Sequence, residues 1–158
     1  MISPIDAQRD KRWATKKLGA SNLTIGDVGC ATCVVSNGLR YWGIQLTPDQ
    51  IAADPNNYTK PGNPQGAGLI IWDNLVLPGG FKKIGRLFGR DDAAIMAALA
   101  NPDRFIGLQV DYGRHWVLAL HKLVTSNDYA VDDSWYGVTN TAIGTWHNIT
   151  GAIIIGKK

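Results

Sequence analysis

The chain has no apolar run near the roughly 18 residues that a membrane-spanning helix needs; its most apolar stretch, residues 152–155, reads as a terminal strand. It has two cysteines, at positions 30 and 33. Two thiols three positions apart do not make a disulfide framework, and a chain of 158 residues can build a core without one. No His-x-x-x-His pattern and no second cysteine pair is present, so a tetrahedral zinc site is not expected, nor is any cofactor. The opening Met1-Ile-Ser-Pro-Ile-Asp-Ala-Gln has no apolar segment of signal-peptide type. We therefore expect a chain made in the cytoplasm with its thiols reduced. Internal repeats, low-complexity tracts and linkers are absent, which predicts one domain over residues 1–158. Long blocks of one charge are missing too. Lys and Arg gather in residues 9–17 and 82–90, but each cluster reads as a solvated face. The net charge of +3 allows only weak attraction to anionic polymers, and no nucleic-acid partner is expected.

What the chain does hold is glycine and tryptophan, 18 and six residues, within a composition that is 45% hydrophobic and 18% charged. That is the make-up of a globular protein with many turns and with large rings in its core or in a groove. Its most informative stretch is Thr24-Ile-Gly-Asp-Val-Gly-Cys-Ala-Thr-Cys-Val-Val-Ser-Asn-Gly-Leu-Arg-Tyr-Trp-Gly43. Cys33, Val34, Val35 and Leu39 recur at helical spacing after Cys30, and Gly43 is a natural stop. A thiol in the first turn of a helix meets unpaired N–H groups and the positive end of the macrodipole. Both favour the thiolate over the ordinary thiol, whose pKa is about 8.5. Gly29 puts no side chain over the sulfur. Cys30 is thus a candidate nucleophile, against the plainer reading in which both cysteines are small buried hydrophobes.

Along the rest of the chain, Thr47-Pro48-Asp49-Gln50 carries a helix start: Thr at the N-cap, Pro at N1, Gln at N3. Residues 56–68, rich in Asn, Pro and Gly, read as a loop. Residues 69–77 are expected to be helical, ended by Pro78-Gly79-Gly80. Residues 81–88 read as a short strand, and Asp91-Asp92 caps a helix over 93–100. The periodicity then becomes that of strands, at 104–110, 115–123 and 129–132, with further strands expected at 145–149 and 152–155. Helices first and strands after predict an α+β fold, with an antiparallel sheet packed on N-terminal helices.

A nucleophilic thiol needs a base, and the base needs an acceptor to orient it. Of the three histidines, His115 opens a strand, His121 lies in or at the end of the same strand, and His147 lies late in the chain. The next strand, Tyr129-Ala-Val-Asp-Asp, ends in two carboxylates. If the two strands form a hairpin, Asp132 or Asp133 comes close to His115. Each of these residues alone has an ordinary reading, as a surface histidine or as a turn.

Together, Gln8-x-Asp10-x-x-Trp13, Leu18-Gly19, Thr24-Ile25-x-x-x-Gly29-Cys30, Thr47-Pro48, His115-Trp-Val-Leu and Val131-Asp-Asp resemble the papain-fold cysteine peptidases that process bacteriocin leaders at double-glycine sites. The closer likeness is to their stand-alone bacterial and phage relatives, and it runs from Gln8 to about Gly137. The resemblance implies a papain-like fold and a catalytic set of Cys30, His115, Asp133 and Gln8. Cys30 is then the nucleophile, His115 the base, Asp133 its orienting acceptor and Gln8 an oxyanion donor. It implies no cofactor or metal, a peptide or peptidoglycan-peptide substrate, and a monomer, virion-associated or released by lysis if it acts outside the cell. The chain departs from the family pattern in having Arg114 before the histidine where the family has glycine, and Ser134 after Asp133 where it has proline. Cys33 stands where the family often has Thr or Ser, and is expected to be a packing residue. Two readings from other classes compete: a thiol–disulfide oxidoreductase using Cys30 and Cys33, and a silent peptide-binding module on the same fold.

Overall fold

The structure is a computed structural model and describes residues 4–157. The chain forms two compact units. One runs up to Val76 and includes Ser134–Gly137; the other comprises Leu77–Asp133 and the chain from Val138 onward.

The first unit is helical. A short helix α1 (Ile25–Val28) is capped by Thr24, whose hydroxyl accepts from the Asp27 N–H, and it meets α2 (Cys30–Arg40) at Gly29. Helix α3 (Pro48–Ala52) begins as the Thr-Pro-x-Gln pattern requires, with the Thr47 N–H donating to Gln50 Oε1 at 2.9 Å. A core of Trp13, Leu18, Ile25, Cys33, Ala52 and Tyr58 holds the three helices. Residues 69–77, expected to be helical, are not. Their only helical part is the 3-10 turn Trp72–Asn74. The reason is a competing partner: Ile70 forms an antiparallel bridge with Tyr58, the Ile71 N–H donates to Asn57 O at 2.7 Å, and the Leu69 N–H donates to the Thr59 hydroxyl. These contacts hold the segment extended on either side of that turn, at Ile71 (φ −103, ψ 94) and at Leu75 (φ −62, ψ 126), so no continuous helix can run through it.

The second unit is a six-stranded antiparallel sheet with two helices, so the chain as a whole is α+β. The strands are β1 (Lys82–Phe88), β2 (Arg104–Val110), β3 (His115–Lys122), β4 (Tyr129–Asp133), β5 (Val138–Thr141) and β6 (Ile149–Gly156), in the spatial order β1-β6-β2-β3-β4-β5. Helix α4 (Asp92–Leu99) starts at Asp91, whose carboxylate accepts from the Ala94 N–H, and it packs on β2 and β3. Helix α5 (Ala142–Trp146) packs on β2, β4 and β5. It occupies part of the segment 145–149 for which the sequence predicts a strand; only Ile149 of that segment is extended. Ile106, Leu108, Val110, Val117, Ala119, Tyr129 and Val131 alternate along β2, β3 and β4 and fill the core with Ile95, Ala142 and Ile154. Burying each large aliphatic side chain there contributes about 1.5–3 kcal/mol. Among the described residues no helix is long and apolar enough to cross a membrane.

Candidate active site

In the helical unit, Cys30 is the first residue of α2 and is nearly covered. As the first residue its N–H is one of those that a helix leaves without an intrahelical carbonyl. Gly29 is required where it stands. A Cβ there would lie 2.6 Å from the Ile25 carbonyl oxygen, so only glycine lets α1 run directly into α2 and deliver the thiol at the helix start. Cys33, one turn on, belongs to the apolar core and is wholly buried. Burial pushes its thiol far above the ordinary range, the nearby Cys30 adds to this, and Ser134 opposes it in part.

Gln8 lies in the same unit. Although it belongs to no helix or strand, it is 1% exposed. The segment around it is tied down at several points. The Asp6 N–H donates to Asn37 Oδ1 on α2 and Asn37 Nδ2 donates back to Asp6 O. The Gln8 N–H donates to Ser134 O, and Trp13 Nε1 donates to Ala7 O at 2.8 Å. The Gln8 amide nitrogen donates to Gly26 O of α1 at 3.2 Å. An amide nitrogen carries two hydrogens, so a second donor remains on the same atom. The glutamine is thus fixed to the short helix that leads into Cys30.

In the sheet unit, His115 opens β3 and Asp133 closes β4, and both are buried. His115 Nε2 and Asp133 Oδ1 are hydrogen-bonded at 3.0 Å. Strand alternation decides which of the two adjacent carboxylates reaches the ring. Asp133 shares a face with Val131, and His115 with Val117, on the side of the sheet that carries the core. Asp132 points to the opposite face and accepts from the Thr139 hydroxyl at 2.9 Å. Asp133 Oδ2 accepts two further bonds, from Asn140 Nδ2 at 2.9 Å and from Trp146 Nε1 at 2.8 Å. Burial alone would raise this carboxyl, but the donors His115, Asn140 and Trp146 together outweigh it and hold it below the usual carboxylate range. An ionised carboxylate only accepts, so the ring hydrogen sits on Nε2 and Nδ1 is the basic nitrogen. The Trp146 ring lies against the imidazole, with centroids 4.2 Å apart and planes at 39°.

The other two histidines are exposed and lie elsewhere: His121 Nδ1 is within reach of the Lys122 carbonyl, and His147 follows α5. Among the described residues no group of three or more His, Cys, Asp or Glu side chains could hold a metal ion. Asn140 and Trp146 carry no signal in the sequence. Asn140 reaches Asp133 through the β4–β5 hairpin, and Trp146 through a helix where a strand is expected. Chemically, the sheet unit holds an imidazole in one tautomer on an ionised, buried carboxylate, and the helical unit offers a thiol at a helix start with a fixed amide donor. No protein-family model matches the chain, and no curated protein matches it.

Proposed function

We propose that the protein is a cysteine peptidase in which Cys30, His115, Asp133 and Gln8 act together, of the papain-like, double-glycine-peptidase type that its motifs resemble. The observation that carries the reading is the Asp133 carboxylate, held ionised by three donors, one of which is the ring of His115. A histidine that only filled space would need one partner for its N–H. Here the acceptor is itself braced by Asn140 and Trp146, which fixes the ring plane as well as the tautomer, as a general base requires.

In the proposed reaction His115 Nδ1 takes the Cys30 proton while Nε2–H stays on Asp133. The thiolate attacks the amide carbonyl and the C–O bond becomes an oxyanion. The Cys30 backbone N–H and the second N–H of the Gln8 amide stabilise it, a role worth about 3–4 kcal/mol per donor in other enzymes. The imidazolium then gives its proton to the departing amine, leaving a thioester. Water, deprotonated by the same ring, hydrolyses the thioester and restores the thiol. The substrate class that fits best is a bacterial peptide, including the cross-link peptides of cell walls. Against the disulfide-exchange alternative, Cys30 and Cys33 lie on a helix flanked by the short helices α1 and α3 and not in a βαβ pattern.

The test is digestion of purified peptidoglycan and of a peptide library, with fragments identified by mass spectrometry. Amide hydrolysis that disappears in Cys30→Ala and in His115→Ala is expected. Hydrolysis that survives Cys30→Ala, or none on either substrate, would overturn the reading.

A further inference from the structure

We propose that Asp128, just before β4, is a positioning residue for the His115 imidazole and acts through α5 and Trp146. The proposal rests on the peptidase reading only for the role given to His115.

Helix α5 spans Ala142–Trp146 and is too short to form by itself, because nucleation costs more than one turn of hydrogen bonds returns. Its N-cap residue, Thr141, is of the right type, yet its side chain makes no capping bond. The cap comes from elsewhere. Asp128 Oδ1 accepts from the Ile143 N–H at 2.8 Å, and Oδ2 accepts from the Gly144 N–H at 2.9 Å. Oδ1 also accepts from the Tyr129 N–H at 2.7 Å, which locks the carboxylate to the start of β4. Asp128 is buried, and these charge-assisted bonds are what hold it there.

A cap from Thr141 would tie the helix only to the residue directly before it, at the end of β5. A cap from Asp128 fixes it to β4, the strand whose far end is Asp133. The helix is therefore fastened to one strand twice: at its start by Asp128, and at its end by Trp146 Nε1 on Asp133 Oδ2. The next residue, His147, adopts φ 75 and ψ −51, a conformation that costs a non-glycine residue on the order of 1–3 kcal/mol. The His147 N–H donates to Ile143 O, and the Asn148 N–H donates to Trp146 O. The chain thus leaves the helix at once after the tryptophan and presents its ring against His115. Loosening the Asp128 end frees the helix to shift along β4, and the only ring that the helix places on the imidazole moves with it.

The experiment uses the full chain, uniformly ¹⁵N-labelled, in wild type, Asp128→Asn, Trp146→Phe and the double variant. Asp128→Asn keeps the size and one acceptor but cannot serve all three N–H groups. The Trp146 indole N–H should exchange with solvent at least about tenfold faster. The His115 ring nitrogens should shift toward a mixture of tautomers, and kcat should fall about tenfold with KM nearly constant. In the Trp146→Phe background the same substitution should leave the His115 spectrum unchanged, since its route to the ring is already cut. A variant that melts earlier but keeps wild-type His115 shifts and indole exchange would overturn the proposal, as would additive effects in the double variant. In case Asp128→Asn does not fold, the wild type supplies its own measurement. The Ile143 and Gly144 amides and the Trp146 indole should share one opening free energy, and independent opening would overturn the proposal equally. The spectroscopic readouts need no turnover, so an inactive protein with this coupling intact refutes the peptidase reading alone.

Discussion

Replacing Asp133 by Asn tests the assignment of the imidazole at the level of a single proton. The carboxylate accepts from His115 on Oδ1 and from Asn140 and Trp146 on Oδ2. An amide has one acceptor oxygen and one donor nitrogen. The two neutral donors on the Oδ2 side select the oxygen, which turns the new N–H₂ group toward His115 Nε2. A donor facing Nε2 demands a lone pair there, so the ring hydrogen moves to Nδ1, the atom assigned to take the thiol proton. The base is then blocked by its own tautomer. The same change in a serine-peptidase triad lowers kcat about 10⁴-fold, or about 5 kcal/mol, and a loss of about 10³–10⁴ is expected here. The fold should lose only about 1–2 kcal/mol, because Asn140 and Trp146 keep their acceptor, the bond at Nε2 persists with its direction reversed, and charge assistance is what is forfeited. Stability should also lose part of its acid dependence. Asp133 is held below its unfolded value of about 3.9, so the unfolded chain binds its proton more readily. Its contribution is therefore full above that value and fades as pH falls through the lower folded one. Steady-state hydrolysis, ¹⁵N spectra of the His115 ring and urea titrations at pH 2–7 measure the three effects. An Asp133→Asn variant with kcat within a few-fold of wild type and hydrogen still on Nε2 would refute the reasoning.

Three further outcomes follow from the geometry. Iodoacetamide at neutral pH should label Cys30 far faster than Cys33, which is wholly buried with its thiol pushed up; peptide mapping that finds equal rates counts against Cys30 as the nucleophile. Gln8→Ala should lower kcat about a hundredfold while Cys30 alkylation stays near wild type, because the donor meets the oxyanion and not the thiol; an unchanged kcat removes Gln8 from the site. Gly29→Ala brings a methyl group to 2.6 Å from the Ile25 carbonyl and should cost about 1–3 kcal/mol in thermal unfolding, whereas an unchanged Tm would mean that α1 and α2 can part freely at this joint.

The elements legible in the sequence are those whose causes are local. Gly29 and the thiol after it mark the start of α2, Asp91 caps α4 from the adjacent position, and period-two alternation marks β2, β3 and β4. The misread segments have distant causes. Residues 69–77 lose their helix to Asn57, Tyr58 and Thr59. The run Thr145-Trp-His-Asn-Ile has strand-type composition, yet its first residues are helical because Asp128, on another loop, supplies the cap. The same division runs through the candidate site. His115 and Asp133 can be paired by reasoning about a hairpin, although the choice between Asp132 and Asp133 needs the register. A glutamine before the first helix would ordinarily be exposed, and Gln8 is covered only because Asn37, Ser134 and Gly26 each bind its segment. Asn140 and Trp146 could be found only once β5 and α5 were in place.

The strand order also bears on how the protein is made. β1 occupies an edge of the sheet and among the described residues pairs with β6, with Phe88 beside Gly151 and Lys82 beside Gly156. A chain leaving the ribosome presents β1 early, while α4 and four more strands emerge before β6 does. At about 5–20 residues per second, β1 waits on the order of several seconds with its N–H and C=O groups unpaired. β2 likewise lacks β6 on one side during that time. The sheet therefore cannot close in the order of synthesis, and the final strand, with Ile153, Ile154 and Ile155, slots between two that are already exposed. During that interval the nascent chain offers two strand edges to any other extended chain nearby, and what ends the exposure is the arrival of its own last strand.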